Sequence, residues 1–403
     1  MRFRMFLIPL AVSAWLVCGC GNRAPLSPVS MSGSTISTTL AHPAGASSIA
    51  SDGAQHLEGV LGPGALYAID VPATWNGDLV VWVHGYSNPA APVALPNIAG
   101  FRDFVMSQGF AIAVSSFSEN GYAAAEAVRE THQLNGVFAD LVGAPKRTFL
   151  VGVSLGGIIG LNLVEKYPRQ YDGALLVSGV VGGTRAEVQY VADVRAIYDY
   201  AYGAYGPLPG DVVHTPENTP FPQATIGGAI QAHPELLPMV LFSPRMMPPG
   251  INANEFVTSV VTALGFQWFG GPDLFDRTHD HMLYDNHAYT YAAPQLPAAV
   301  NDAINAGVTR YTSTPDAEAF MQQHYEPTGD LRIPVMTLHT PRDPVVPIEH
   351  EALFKAKVEA AGRLDNLFQR QGGGYGHVAF PPQDIPAAFL DLVHWVNTGQ
   401  KPV

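Results

Sequence analysis

Thr148-Phe149-Leu150-Val151-Gly152-Val153-Ser154-Leu155-Gly156-Gly157, continued by the apolar stretch Ile158 to Val164, reads as a buried strand running straight into a helix through a turn that holds a serine. The glycine-x-serine-x-glycine order has a steric cause. A serine on so sharp a strand-to-helix turn brings neighbouring backbone so close that Gly152 and Gly156 have to lack Cβ. The turn presents Oγ at the start of a helix, where unpaired N–H groups and the positive dipole end stabilise an oxyanion, with the Leu155 N–H as first donor. The bare motif is weak evidence in a chain with 40 glycines. The strand before it and the helix after it carry the reading.

Outward from this turn, short apolar runs alternate with stretches of helical period. The runs are Ala65 to Val71, Leu79 to Val83, Ala111 to Ser115, Thr148 to Val153, Ala174 to Val180, Val335 to His339 and Leu367 to Arg370. The helical stretches are Phe101 to Ser107, Ala123 to Leu141, Leu155 to Glu165, His350 to Ala361 and Ile385 to Val396. Alternation with Val/Leu/Ile-rich strands predicts an α/β fold, a mostly parallel sheet covered by helices on both faces. Residues 184–329 break the rhythm and are rich in Tyr, Phe, Pro and His. A loop that long without structure does not fit a compact domain, so this stretch is expected to be a mainly helical subdomain inserted between late strands. The core is then 56–183 and 330–403, and no internal repeat is visible.

With the serine turn in this setting, the sequence resembles the α/β-hydrolase superfamily, in its esterase and lipase branch. The resemblance implies an acid and a histidine later in the chain, each on a loop after a late strand. Val335 to His339 is followed by Thr340-Pro341-Arg342-Asp343-Pro344-Val345-Val346-Pro347, which looks like the acid loop, so Asp343 is the expected acid. Gly372-Gly373-Gly374-Tyr375-Gly376-His377 follows the last strand, and His377 is the expected base. Leu79-Val80-Val81-Trp82-Val83-His84-Gly85-Tyr86 resembles the loop that supplies the second oxyanion donor, here the Tyr86 N–H beside Gly85. Tyr86-Ser87 after the single Gly85 departs from the H-G-G-G form of many esterases, which puts bulky tertiary-alcohol esters in doubt as substrates.

Composition narrows the chemistry. The 403 residues allow one large domain or two smaller ones. With 21 Lys+Arg against 34 Asp+Glu the net charge is −13, which argues against nucleic acid as a partner. Only 14% of residues are charged and 47% are hydrophobic, far from a disordered composition. The two cysteines, Cys18 and Cys20, both lie near the N-terminus, so neither a disulfide framework nor a cysteine zinc site is available to the body. Arg2 and Arg4 before the uncharged run Met5 to Val17 have the layout of a secretory signal. Val17-Cys18-Gly19-Cys20 resembles a bacterial lipobox, which implies a leader over 1–19, lipid on Cys20 and a flexible tether over 20–55. Gly21 lacks the aspartate associated with inner-membrane retention, so an outer-membrane lipoprotein is expected, with a soluble periplasmic or secreted protein as the alternative. Losing Arg2 and Arg4 makes the mature chain more negative, so lipid alone would hold it at a membrane.

The resemblance implies a serine hydrolase that cleaves small or polymeric carboxylic esters through an acyl-enzyme on Ser154, with no metal or organic cofactor. A peptidase or amidase with the same three residues is the enzyme alternative, and a non-catalytic surface binding module the alternative of another class. In the insertion, Tyr198, Tyr200, Tyr202, Tyr205, Phe266, Trp268 and Phe269 suit an apolar or aryl acyl group, but read more simply as the subdomain's own core. Asp276, His279, Asp280, His281, Asp285 and His287 could ligate a cation. They lack a recognised ligand spacing, and loop and capping roles are simpler.

Overall fold

The computed structural model describes residues 47–49, 53–216 and 219–403. The leader, Cys20 and most of the tether lie outside them. The strands are β1 (Ser47–Ile49), β2 (Gln55–Leu61), β3 (Ala65–Val71), β4 (Asp78–Val83), β5 (Ala111–Ser115), β6 (Arg147–Val153), β7 (Gly173–Val177), β8 (Val335–His339) and β9 (Leu367–Gln371). They form one sheet in the order β1-β2-β3-β5-β4-β6-β7-β8-β9. From β5 to β9 every pairing is parallel, while β1, β2 and β3 join in antiparallel fashion. The sequence reading missed β1 and β2. The first lies inside the stretch read as tether, and Gln55–Leu61 is mostly half-buried, so it shows no apolar run.

Side-chain alternation divides the sheet into two packed faces. Val81, Val83, Ala113, Leu150 and Leu176 face α2 (Ala124–Leu141) and α3 (Gly156–Lys166). Val80, Ile112, Phe149, Val151, Leu175 and Leu338 face α1 (Ala99–Ser107) and α11 (Asp384–Thr398). Phe389 of α11 anchors the second face, its ring edge-to-face with Phe101, Phe110 and Phe149 at 5.4–5.8 Å. The last connecting helix, α10 (Glu349–Ala360), buries Phe354 and Val358 beside Val335 and Leu367 on the first face.

Between β7 and β8 the chain leaves the sheet and forms α4 (Thr184–Tyr202), α5 (Gln223–Ala232), α6 (Leu237–Phe242), α7 (Ala253–Arg277), α8 (Ala298–Gly307) and α9 (Pro315–His324). These helices fall within 184–329, between two late strands. Asn252 caps α7, its side chain accepting the Glu255 N–H. The insertion starts and ends at one point: the Thr184 N–H donates to the Tyr325 carbonyl at 2.9 Å. Tyr198, Tyr202 and Trp268 are buried there as core, whereas Tyr205 and Phe269 are exposed. The separate sequence expectation that Ala174 to Val180 is all strand needs correction, because β7 ends at Val177 and Ser178 turns with φ +42°.

Candidate active site

The serine turn is built as its glycines require. Ser154 sits between β6 and α3 with φ +58°, a left-handed conformation that strains any residue with a Cβ. It is held there by its N–H donating to Val177 O at 3.0 Å and its carbonyl accepting from Gly157 N at 2.8 Å and Val180 N at 3.1 Å. A Cβ on Gly152 would run into the Gly156 carbonyl, and one on Gly156 into the Val83 carbonyl. Gly85 lies against the serine itself, where a Cβ would come within 2.9 Å of Ser154 Cβ.

Asp343 and His377, remote in sequence, arrive at this turn. His377 Nε2 is 2.8 Å from Ser154 Oγ, and Nδ1 is 2.7 Å from Asp343 Oδ2. An ionised carboxylate only accepts, so Nδ1 carries the proton and Nε2 is free to accept the serine hydroxyl. Asp343 is fully buried. Burial pushes its carboxyl upward, but His377, His339 and the Val345 N–H outweigh that and hold it below its ordinary value. Its Oδ1 accepts the Val345 and Val346 N–H groups at 2.9 and 3.0 Å, so the turn into Pro347 fixes the carboxylate. The acid and histidine loops are laced together, with Gly376 N donating to Arg342 O at 3.0 Å and Thr340 Oγ1 to Gly376 O at 2.8 Å.

Tyr86 follows Gly85, which lies against the serine, and Leu155 follows the serine directly. Among the described residues, neither N–H donates to a protein acceptor. His84, which the sequence reading passed over, orients the first of them. Its Nδ1 is 2.7 Å from Gly85 O and its ring stacks on Phe117 at 4.0 Å. Holding the Gly85 carbonyl on one side of a trans peptide turns the Tyr86 N–H to the other.

Helix α7 braces this site from above at both of its ends. Near its start, Glu255 accepts Arg342 Nε at 3.0 Å and its carbonyl accepts the Tyr375 hydroxyl at 3.1 Å, next to the acid and histidine in sequence. Near its end, Asp273 accepts the Tyr122 N–H at 2.7 Å and Arg277 donates to Asn120 O at 2.7 Å. Phe266 meets the Tyr86 ring edge-to-face at 5.4 Å. The Asp/His group of the insertion has ordinary partners: Asp285 accepts the His287 and Ser313 N–H groups, and His281 faces Asp316 at 3.5 Å. Glu187 on α4 is buried with the Tyr122 hydroxyl 3.3 Å from Oε2. No sequence motif marks it.

No protein-family model matches this sequence, and no curated protein matches it. Solved structures do. An esterase from Aspergillus oryzae superposes with a TM-score of 0.51 at 16% identity, covering 87% of this chain and 80% of its own. The fold is the α/β-hydrolase fold. Candida antarctica lipase A in its closed state follows at TM-score 0.43 and 13% identity, with 89% and 82% covered. The acylaminoacyl peptidase of Pyrococcus horikoshii gives 0.44 and 10%, with 90% and 42% covered. At 16% identity the esterase carries the architecture alone.

Proposed function

We propose that this chain is a serine hydrolase acting on carboxylic esters. The observation that carries the reading is the unbroken relay from Ser154 Oγ through His377 to Asp343, at 2.8 and 2.7 Å. In the reaction, His377 Nε2 takes the hydroxyl proton as Oγ attacks the acyl carbonyl, and Asp343 holds the tautomer and stabilises the imidazolium. The Tyr86 and Leu155 N–H groups receive the oxyanion. His377 returns the proton to the leaving alcohol, and a water activated by the same imidazole releases the acid and frees the serine. The reading requires no metal or organic cofactor. The insertion acts as a cap, with α7 limiting access to the serine.

The test is turnover of p-nitrophenyl acetate, butyrate and palmitate by wild type and Ser154→Ala, with fluorophosphonate labelling alongside. Ester turnover and labelling that both disappear with Ser154 support the reading. Good turnover of aminoacyl anilides with none of any ester replaces it with a peptidase, and no turnover with no labelling replaces it with a binding module. We also propose that the chain is exported and anchored by lipid on Cys20. Globomycin-sensitive processing supports this, and a Cys20→Ala protein that stays in the membrane fraction refutes it.

A further inference from the structure

His339 ends β8 and is fully buried, one helical turn's spacing before Asp343 in the sequence. Its two ring nitrogens both face oxygen atoms. Nδ1 is 3.0 Å from Glu351 Oε1, and Nε2 is 2.8 Å from the Val346 carbonyl, which can only accept. A neutral imidazole has one N–H and satisfies only one of these contacts unless Glu351 carries the proton. Glu351 is set up to be the anion instead, since its Oε2 accepts the Thr337 hydroxyl at 2.5 Å and the Gln369 amide at 2.6 Å. Two donors on one oxygen favour the charged carboxylate.

The other groups around the pair supply no competing cation. His350, beside Glu351 on α10, is buried and accepts the Gly182 N–H on Nδ1 at 3.2 Å. Burial drives it down to about 3, so it is neutral. Tyr190 on α4 donates to the Pro344 carbonyl at 3.1 Å. Lys357, further along α10, is paired with Glu326 at 2.6 Å, and Glu187 on α4, which feels the Asp343 charge, is pushed up to about 8 by burial. Asp343 is the nearest charge outside the pair: His339 Nε2 lies 3.9 Å from Oδ2, the same oxygen that accepts the His377 Nδ1–H.

We propose that His339 is a fixed imidazolium that positions Asp343 and shares that carboxylate's charge with His377, an inference that rests on the serine hydrolase reading. A cation beside the same carboxylate oxygen keeps Asp343 ionised and shares its charge with His377. Without that cation the whole Asp343 charge acts on His377, so a variant lacking it should need a higher pH to react. Glu351 anchors the cation, and the Val346 contact ties it to the loop that carries the acid.

Two variants and one spectrum test this. Glu351→Gln keeps a polar partner for the ring but removes the anion that holds the proton on it, and His339→Gln removes the cation outright. The pH dependence of fluorophosphonate inactivation is measured for both and for wild type, and long-range 1H–15N spectra of the wild type, assigned with His339→Gln, read the protonation of His339. We expect both His339 nitrogens to be protonated at pH 8, and the acid limb to move to higher pH by about half a unit or more in each variant. A neutral His339 at pH 8 overturns the proposal without reference to the variants, should these fail to fold. Labelling of wild type and variants with unchanged limbs also overturns it and leaves the hydrolase reading intact. A wild type that never labels refutes the hydrolase reading, and the charge-sharing role with it.

Discussion

Replacing Glu187 with glutamine should make the protein more stable in alkali, although it alters a fully buried side chain. Burial in the first turn of α4 pushes the Glu187 carboxyl from an ordinary 4.5 up to about 8; the Asp343 charge adds to this and the Tyr122 hydroxyl opposes it. The folded state therefore holds a proton that the unfolded chain has released between those two pH values. Stability falls as pH rises through this window, by about 1.4 kcal/mol per pH unit and on the order of 5 kcal/mol in full. Below about pH 4.5 both states are protonated and the group contributes nothing. Glutamine has nearly the shape of the protonated acid and keeps an acceptor for Tyr122, but never ionises. Urea unfolding of wild type and Glu187→Gln at pH 5, 7 and 9 isolates the effect, because all other titrations are common to both. The two should differ by less than about 1 kcal/mol at pH 5, with glutamine ahead by about 3 kcal/mol at pH 7 and more at pH 9. This is a large part of the total stability of an ordinary domain. Equal pH dependence in the two proteins would refute the argument that burial keeps this carboxyl protonated.

Asp343→Asn should lower kcat by about 10^3 to 10^4 with little change in KM, because the amide's N–H₂ group can press His377 into the wrong tautomer; steady-state ester kinetics measure this. Gly156→Ala should abolish labelling of Ser154, since the new methyl group meets the Val83 carbonyl and the turn cannot close; full labelling with an unchanged melting temperature would be the contrary result. Phe389→Ala should cost about 3 to 5 kcal/mol in urea unfolding, as it empties the centre of the aromatic cluster between α11 and the sheet.

Much of the core could be read from residues because its strands are buried on both faces and appear as continuous apolar runs. Val335–His339 and Ala65–Val71 are observed with the bounds expected from sequence. The antiparallel edge was not legible, since Gln55–Leu61 is half-buried or exposed at every residue but Leu61 and alternates too weakly to stand out. Ser154, Asp343 and His377 could be located because each follows a strand at a turn with strong local demands. The residues that support them could not. His84 stands in a legible stretch, but its role depends on the stacked Phe117 ring, while His339, Glu187 and Glu351 act through partners distant in the chain or across the sheet, and nothing local separates them from surface residues. The placement of α7 was hidden for the same reason. Its contacts with Arg342, Tyr375 and Tyr122 depend on how a helix within the insertion lies over loops from three other parts of the chain.

The narrow neck at Thr184 and Tyr325 separates two kinds of change. Because the excursion leaves and rejoins the core at one place, where the Thr184 N–H meets the Tyr325 carbonyl and the Arg185 N–H meets the Glu326 carboxylate, its helices other than α7 can lengthen, shorten or be exchanged while the strands on either side keep their register. Selection can therefore remodel what the protein admits through those helices, while α7, tied to Arg342 and Tyr375, has to keep its place.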